Sequence, residues 1–211
     1  MKKRVHLLCS TREIPNRLLE KKGGEDWIGV DRGTYDLLQA KIQPVFAVGD
    51  FDSVSDDERR WIQEQMDVEV MPREKDVTDL AYAVKKALDL GYKKIKIYGA
   101  TGGRLDHFMG AMQMLKHETF KAHKIQLIDQ HNIIELLTTG TYSKRYKKQY
   151  NYISFIPATD QASLSLKGFK YELNEALLEQ GSTLTISNEF KDKNAIVTVH
   201  EGLIYQIRSR D

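Results

Sequence analysis

One cysteine occurs in the 211 residues, Cys9, so no internal disulfide can form. Such usage fits a reducing compartment. Cys9 is read as a small buried residue on a first strand. No apolar run approaches the ~18 residues that a membrane span needs. The opening "MKKRVHLLCS" begins basic, but its apolar stretch is too short for a secretory signal. A cytoplasmic protein with no membrane partner is the expectation. Charge of one sign is also lacking. Lys plus Arg is 32 and Asp plus Glu is 30, a formal net charge of +2. That balance argues against nucleic acid as a partner, because a strong basic excess is its usual footprint. The first strand-like run leads into "STRE" with no GxGxxG, which leaves a dehydrogenase-type dinucleotide site unsupported. No long repeat or low-complexity segment is present.

What is there belongs to an ordinary globular chain, 41% hydrophobic and 29% charged. The first two thirds alternate short β-type runs with helix-type runs. "RVHLLC", "WIGV", "PVFAV", "VEVM", "KIKIYGA", "KIQLID" and "NIIELL" read as strands. "REIPNRLLEKK", "TYDLLQAK", "SDDERRWIQEQM", "TDLAYAVKKALDLG" and "LDHFMGAMQMLKHE" read as helices. Ser55 and Glu58 are spaced as a capping box, Thr78 is an N-cap and Gly91 a stop. Repeated βα units predict an α/β fold with a mainly parallel sheet flanked by helices, over residues 1–138. "TTGTYSKRYKKQ" has no clear period and reads as a linker or turn. Beyond it come only strand-like runs: "YNYISFIPA", "ASLSLKGF", "STLTIS" and "AIVTVHEGLIYQIRS". They predict a small C-terminal β-sandwich over residues 146–211. A unit of roughly 65 residues is marginal alone and needs a neighbour.

Three loops carry unusual chemistry. "GDFDS" follows "PVFAV", "REKDVTD" follows "VEVM", and "GATGGRLDH" follows "KIKIY". All three leave the carboxyl ends of strands, where open α/β sheets bind ligands. Asp50, Asp52, Asp76, Asp79 and Asp106 would share that edge with Lys75 and Arg104. Grouped carboxylates suit a hard cation such as Mg²⁺ or Ca²⁺, and Mg²⁺ also takes phosphate oxygens. Arginine suits bidentate phosphate contact and lysine acts as a point charge. Gly99, Gly102 and Gly103 let backbone N–H groups approach phosphate. Each loop alone reads equally as a turn plus a helix start. Together they point to a magnesium-bound polyphosphate. His107 is read as a helix-face residue, and Met109, Met112 and Met114 as packing.

With these residues assembled, the sequence resembles the thiamin pyrophosphokinase family. The resemblance runs through "DRGTYDLL", "GDFDS", "KDVTDL" and "GATGGRLDH", in that order, and then "LKGFKYEL" and "GSTLTISNEF". It implies an α/β domain followed by a β-sandwich, and transfer of pyrophosphate from ATP to the hydroxyl of thiamin, giving thiamin diphosphate and AMP. It implies Asp50, Asp52 and Asp79 as the Mg²⁺ and phosphate residues. Ser53, Lys75, Thr78, Gly102, Gly103, Arg104 and Asp106 become their companions at the nucleotide. Tyr171, Ser187 and Asn188 fall at the thiamin-side positions, where Tyr171 would offer its ring to the thiazolium cation. It also implies a homodimer, with thiamin between domains of different subunits. One departure stands out. Members often show a glycine-rich turn after the first strand, here "CSTREIP", and no nucleotide contact is read from it.

The expected chemistry needs a carboxylate to take the alcohol proton, and Asp79 and Asp106 are both candidates. Two other readings are weighed. A haloacid-dehalogenase-type phosphohydrolase also ends a strand in a DxD, though usually near the N-terminus. An RNA-binding module could use the β-unit and the Lys144–Lys148 cluster, against which the near-neutral charge argues.

Overall fold

The computed structural model describes residues 4–70 and 77–211. The chain divides into two compact units, Met1–Met114 with His123–Gln130, and Leu115–Ala122 with His131–Asp211.

The first unit alternates strand and helix. In order these are β1 (Val5–Leu8), α1 (Leu18–Lys22), β2 (Trp27–Val30), α2 (Arg32–Gln39), β3 (Phe46–Gly49) and α3 (Asp56–Gln65). Then come β4 (Glu69–Val70), α4 (Asp79–Asp89), β5 (Lys94–Tyr98), α5 (Leu105–Lys116) and β6 (Lys124–Ile128). Its strands stand in the order β4-β3-β2-β1-β5-β6, all parallel. Central strands of a parallel sheet are covered on both faces, so they read as unbroken apolar runs rather than alternations. Val5, Leu7, Leu8, Trp27, Ile28, Ala47 and Val48 are all fully buried. Strand order reverses at β1, whose neighbours are β2 and β5.

Local signals set the helix starts. The Glu58 backbone N–H donates to Ser55 Oγ at 3.2 Å, and the Ser55 N–H donates to Glu58 Oε2 at 2.9 Å, closing the expected capping box on α3. Thr78 caps α4 by accepting from the Ala81 N–H at 3.2 Å. One helix is shorter than its sequence suggests. "REIPNRLLEKK" is helical only from Leu18. Glu13 and Arg17 take left-handed backbone at φ 50° and 58°, and Pro15 lacks an N–H, so residues 12–17 form a turn.

The second unit contains β7 (Asn132–Leu137), β8 (Gly140–Arg145), β9 (Tyr152–Pro157), β10 (Gln161–Lys167), β11 (Leu173–Glu179), β12 (Asn194–Glu201) and β13 (Ile204–Ser209). An antiparallel set, β7-β13-β9, faces a four-stranded antiparallel sheet, β11-β10-β12-β8. Leu137, Ile153, Phe155 and Ile204 from the first, and Leu164, Leu166, Leu178, Val197 and Val199 from the second, share one core. This is the expected sandwich.

Two assignments change, and one segment without an assignment forms a strand. "TTGTYSKRYKKQ" contains strand β8, paired along its length with β12, rather than a linker. Lys144 lies inside it, buried, with its Nζ donating to Glu135 Oε1 at 2.8 Å. "LNEALLE", helix-like in composition, forms β11 because β10 offers it a ladder. "STLTIS" alternates like a strand but forms turns, held by the Thr185 hydroxyl donating to the Phe155 carbonyl.

Candidate active site

Three strand exits meet at the carboxyl end of the parallel sheet. Asp31 follows β2, Asp50 follows β3, and Asp79 opens α4. Each contributes a carboxylate oxygen to one group in which these atoms all lie within 4.8 Å of one another. The backbone builds this meeting. The Asp31 N–H donates to the Val48 carbonyl at 2.9 Å, tying the exit of β2 to β3. A side chain at Gly49 would strike Asp31 Oδ1, and one at Gly33 would strike the Leu8 carbonyl. Both positions therefore need glycine for close approach rather than for flexibility. Asp31 itself sits at φ 47°, ψ −123°, outside the comfortable regions for a residue with a side chain.

The electrostatics of this group are unfavourable as they stand. Burial, then the charges of Asp79 and Asp50, push the Asp31 carboxyl up to about 7, against an opposing hydrogen bond from the Phe51 backbone. Asp31 Oδ1 is buried with no hydrogen-bond partner. Three hard oxygen donors, one unpartnered, fit a divalent cation of the Mg²⁺ or Ca²⁺ kind.

The positions singled out from the sequence fall as follows. Asp50 and Asp79 are in the group. Asp52 is exposed, outside it, and its backbone N–H donates to Asp50 Oδ1 at 3.0 Å. Asp31 takes the third place. Its signal was present: "WIGVD", like "PVFAVGD", ends an apolar run in an acid. Ser53 is exposed on the same loop as Asp52, and Thr78 spends its hydroxyl on the α4 cap. Lys75 and Asp76 lie outside the described residues.

In the third loop, Gly99 and Gly102 both have φ 72°, which glycine adopts without strain. Arg104 and Asp106 form a two-pronged pair. Arg104 Nε donates to Asp106 Oδ1 at 3.1 Å, and Nη2 to Oδ2 at 2.6 Å. This holds the Asp106 carboxyl down to about 2.

The second unit brings its three positions together. Asn188, 2% exposed, accepts at Oδ1 from the Tyr171 N–H at 3.1 Å and the Glu189 N–H at 2.8 Å. Its Nδ2 donates to the Tyr171 carbonyl at 2.8 Å. Ser187 has φ 58°, and its N–H donates to Ser154 Oγ at 2.9 Å. The Tyr171 ring stays exposed, with Lys170 Nζ 5.6 Å from its centroid. Asn188 thus grips the backbone that presents Tyr171.

Comparison with known proteins identifies the family and the fold. The family model described as thiamin pyrophosphokinase, catalytic domain, matches residues 20–128, and that for the vitamin B1 binding domain matches 142–204. A thiamine pyrophosphokinase from Bacillus subtilis is 44% identical over 187 residues, covering 88% of this chain and 87% of the relative. The crystal structure of thiamine pyrophosphokinase from Bacillus subtilis superposes with a TM-score of 0.89 at 40% identity, covering 99% of this chain and all of the other. That of thiamin pyrophosphokinase from Geobacillus thermodenitrificans gives 0.87 at 37% identity, covering 99% and 98%. The phosphohydrolase and RNA-binding readings find no support here. With two family models covering both units and relatives matched nearly end to end, the chain belongs to the thiamin pyrophosphokinase family.

Proposed function

We propose that Asp31, Asp50 and Asp79 hold Mg²⁺ at the sheet edge, and that ATP and thiamin react beside them. The reaction is that of an ATP:thiamin diphosphotransferase. The hydroxyethyl oxygen of thiamin attacks the β-phosphorus of ATP. The bond from that phosphorus to the α–β bridging oxygen breaks, and AMP leaves. The observation that carries this reading is the meeting of three carboxylates, one of which, Asp31, has a buried oxygen without a partner. When bound, the cation supplies charge that offsets the growing negative charge on phosphate oxygens.

The chain's own residues do the rest. Positioning and electrostatics dominate phosphoryl transfer. The Gly102 and Gly103 amides, Ser53 and Thr78 are assigned to the nucleotide, and the Arg104 guanidinium would stabilise the transferring group from its pair with Asp106. Lys75, which the resemblance assigns to the nucleotide, lies outside the described residues. Asp52 contributes charge at the rim rather than a ligand inside. Asp79 and Asp106 are the two candidate proton acceptors, and the hydrogen bonds from Arg104 hold the Asp106 carboxyl down to about 2. Tyr171 offers its ring face to the thiazolium, and Ser187 and Asn188 set the ring's backbone.

The enzyme acts in the cytoplasm as a homodimer. A half-buried Cys9, whose thiol burial pushes up to about 12, suits a reducing compartment. Leu177, Leu184 and Ile196 are exposed on the small second unit, apolar area that a second subunit would cover. Light scattering should return twice the 24.3 kDa of one chain. The activity test is incubation with ATP, Mg²⁺ and thiamin, followed by chromatography. AMP and thiamin diphosphate in equal amounts are expected. ADP instead of AMP would mean single-phosphoryl transfer and would overturn the reading.

A further inference from the structure

The turn after β1, residues 9–17, lies at the reversal of strand order, beside the glycine loop that follows β5. It is tied to that loop. The Cys9 N–H donates to the Tyr98 carbonyl at 2.9 Å, and Ser10 Oγ donates to the Gly99 carbonyl at 3.0 Å. The Arg12 N–H donates to Ser10 Oγ at 3.3 Å, and the Thr11 N–H to Asp36 Oδ2 at 3.0 Å. The glycines of "GATGGR" make room for this turn. A side chain at Gly99 would strike the Ser10 carbonyl, one at Gly102 would meet Glu13 Cγ, and one at Gly103 would strike Arg12 Nη1. The Arg12 guanidinium therefore lies against the bare backbone of Gly103.

Among the described residues that guanidinium has no hydrogen bond and no ion pair, whereas Arg104 next to it in the loop is committed to both oxygens of Asp106. The edge is otherwise rich in carboxylates, which repel a polyphosphate. A free, planar, permanently charged fork beside a glycine turn is the complement of phosphate oxygens. We propose that Arg12 is a further nucleotide-binding residue of this enzyme, holding phosphate oxygens of ATP against the Gly102–Gly103 turn. The inference rests on the reaction assigned above. It also gives a nucleotide role to a turn from which the sequence offered none.

The test compares the wild-type chain with Arg12→Ala and Arg12→Lys. Calorimetric titration with ATP and Mg²⁺, without thiamin, reads binding alone. Steady-state assays then vary each substrate in turn, and thermal melts monitor folding. Arg12→Ala is expected to weaken ATP binding and raise the KM for ATP about tenfold, near 1.4 kcal/mol, with the KM for thiamin and the melting temperature unchanged. Arg12→Lys should recover part of the loss, since it keeps the charge but not the fork. ATP affinity within twofold of wild type in Arg12→Ala would overturn the inference. So would equal losses for both substrates with a lowered melting temperature, which would mean a structural role. Wild-type protein that binds ATP but forms no AMP with thiamin would sink the reaction reading, and the binding comparison would still judge Arg12.

Discussion

Two polar side chains, half-buried Asp31 and fully buried Asn188, show how differently the two units use polarity. Asn188 has both ends of its amide engaged with backbone, and nothing about it asks for a ligand. Asp31 has an oxygen without a partner and two further carboxylates against it. A buried polar group that is satisfied stabilises its surroundings, while one left unsatisfied costs free energy until something binds. The first behaves as scaffold and the second as a receptor. The difference that matters lies in the partners.

That contrast breaks most visibly at the acids. Asp31→Asn or Asp50→Asn should reduce turnover by about a hundredfold or more, read in the coupled ATP and thiamin assay. The same changes relieve like-charge repulsion, so in chelator the melting temperature should rise, by about 2–4 °C for each kcal/mol relieved. Mg²⁺ should then add less to it than it adds to wild type. Asp52→Asn, at the exposed rim, should cost less activity than either and leave the chelator melting temperature unmoved. An Asp52 variant as damaged as the Asp31 variant would place Asp52 among the ligands.

The scaffold side responds with the opposite sign. Asn188→Leu strands the Tyr171 and Glu189 N–H groups, so stability in urea should fall by about 1–3 kcal/mol. The KM for thiamin should rise through the loosened Tyr171, with the KM for ATP unchanged. A Leu variant with normal thiamin kinetics would detach Asn188 from that substrate.

The smallest effect is expected at the far end of the same parallel sheet. Burial lowers the pKa of His6, despite its 2.7 Å contact with Glu25. Partial burial of Glu25 is outweighed by hydrogen bonds from His6 and Lys22, which hold its carboxyl down to about 2. For both groups the unfolded chain binds the proton more readily. Stability should therefore fall as pH drops through 6.5, where unfolded His6 gains charge, and fall further below 4.5 as unfolded Glu25 is protonated. Urea midpoints between pH 7 and pH 3 measure this, and Glu25→Gln should flatten only the lower part of the curve.

The parallel unit was largely legible because buried strands and capped helices write themselves locally. "WIGV" and "PVFAV" are apolar from end to end, and Ser55 with Glu58 announces α3. What was not legible depends on partners. "LNEALLE" and the segment holding β8 become strands only because β10 and β12 lie beside them. "STLTIS" has strand residues without a ladder to join. At the site, Asp52 seemed equivalent to Asp50 because DxD alternation puts both acids on one side of an extended chain. Phe51 is not extended. At φ 57° it folds the chain back, so Asp52 turns outward and Asp31, from another strand, takes the vacated place. Residue spacing cannot report a reversal one residue long.

Phe51 is also 2% exposed, a large ring sunk into the unit between two acids at the surface. It works as a peg. The loop that carries Asp50 is nailed down from below, so that carboxylate is aimed before any cation arrives. Little ordering remains to be done on capture, and an arriving ion meets a finished cradle instead of assembling one.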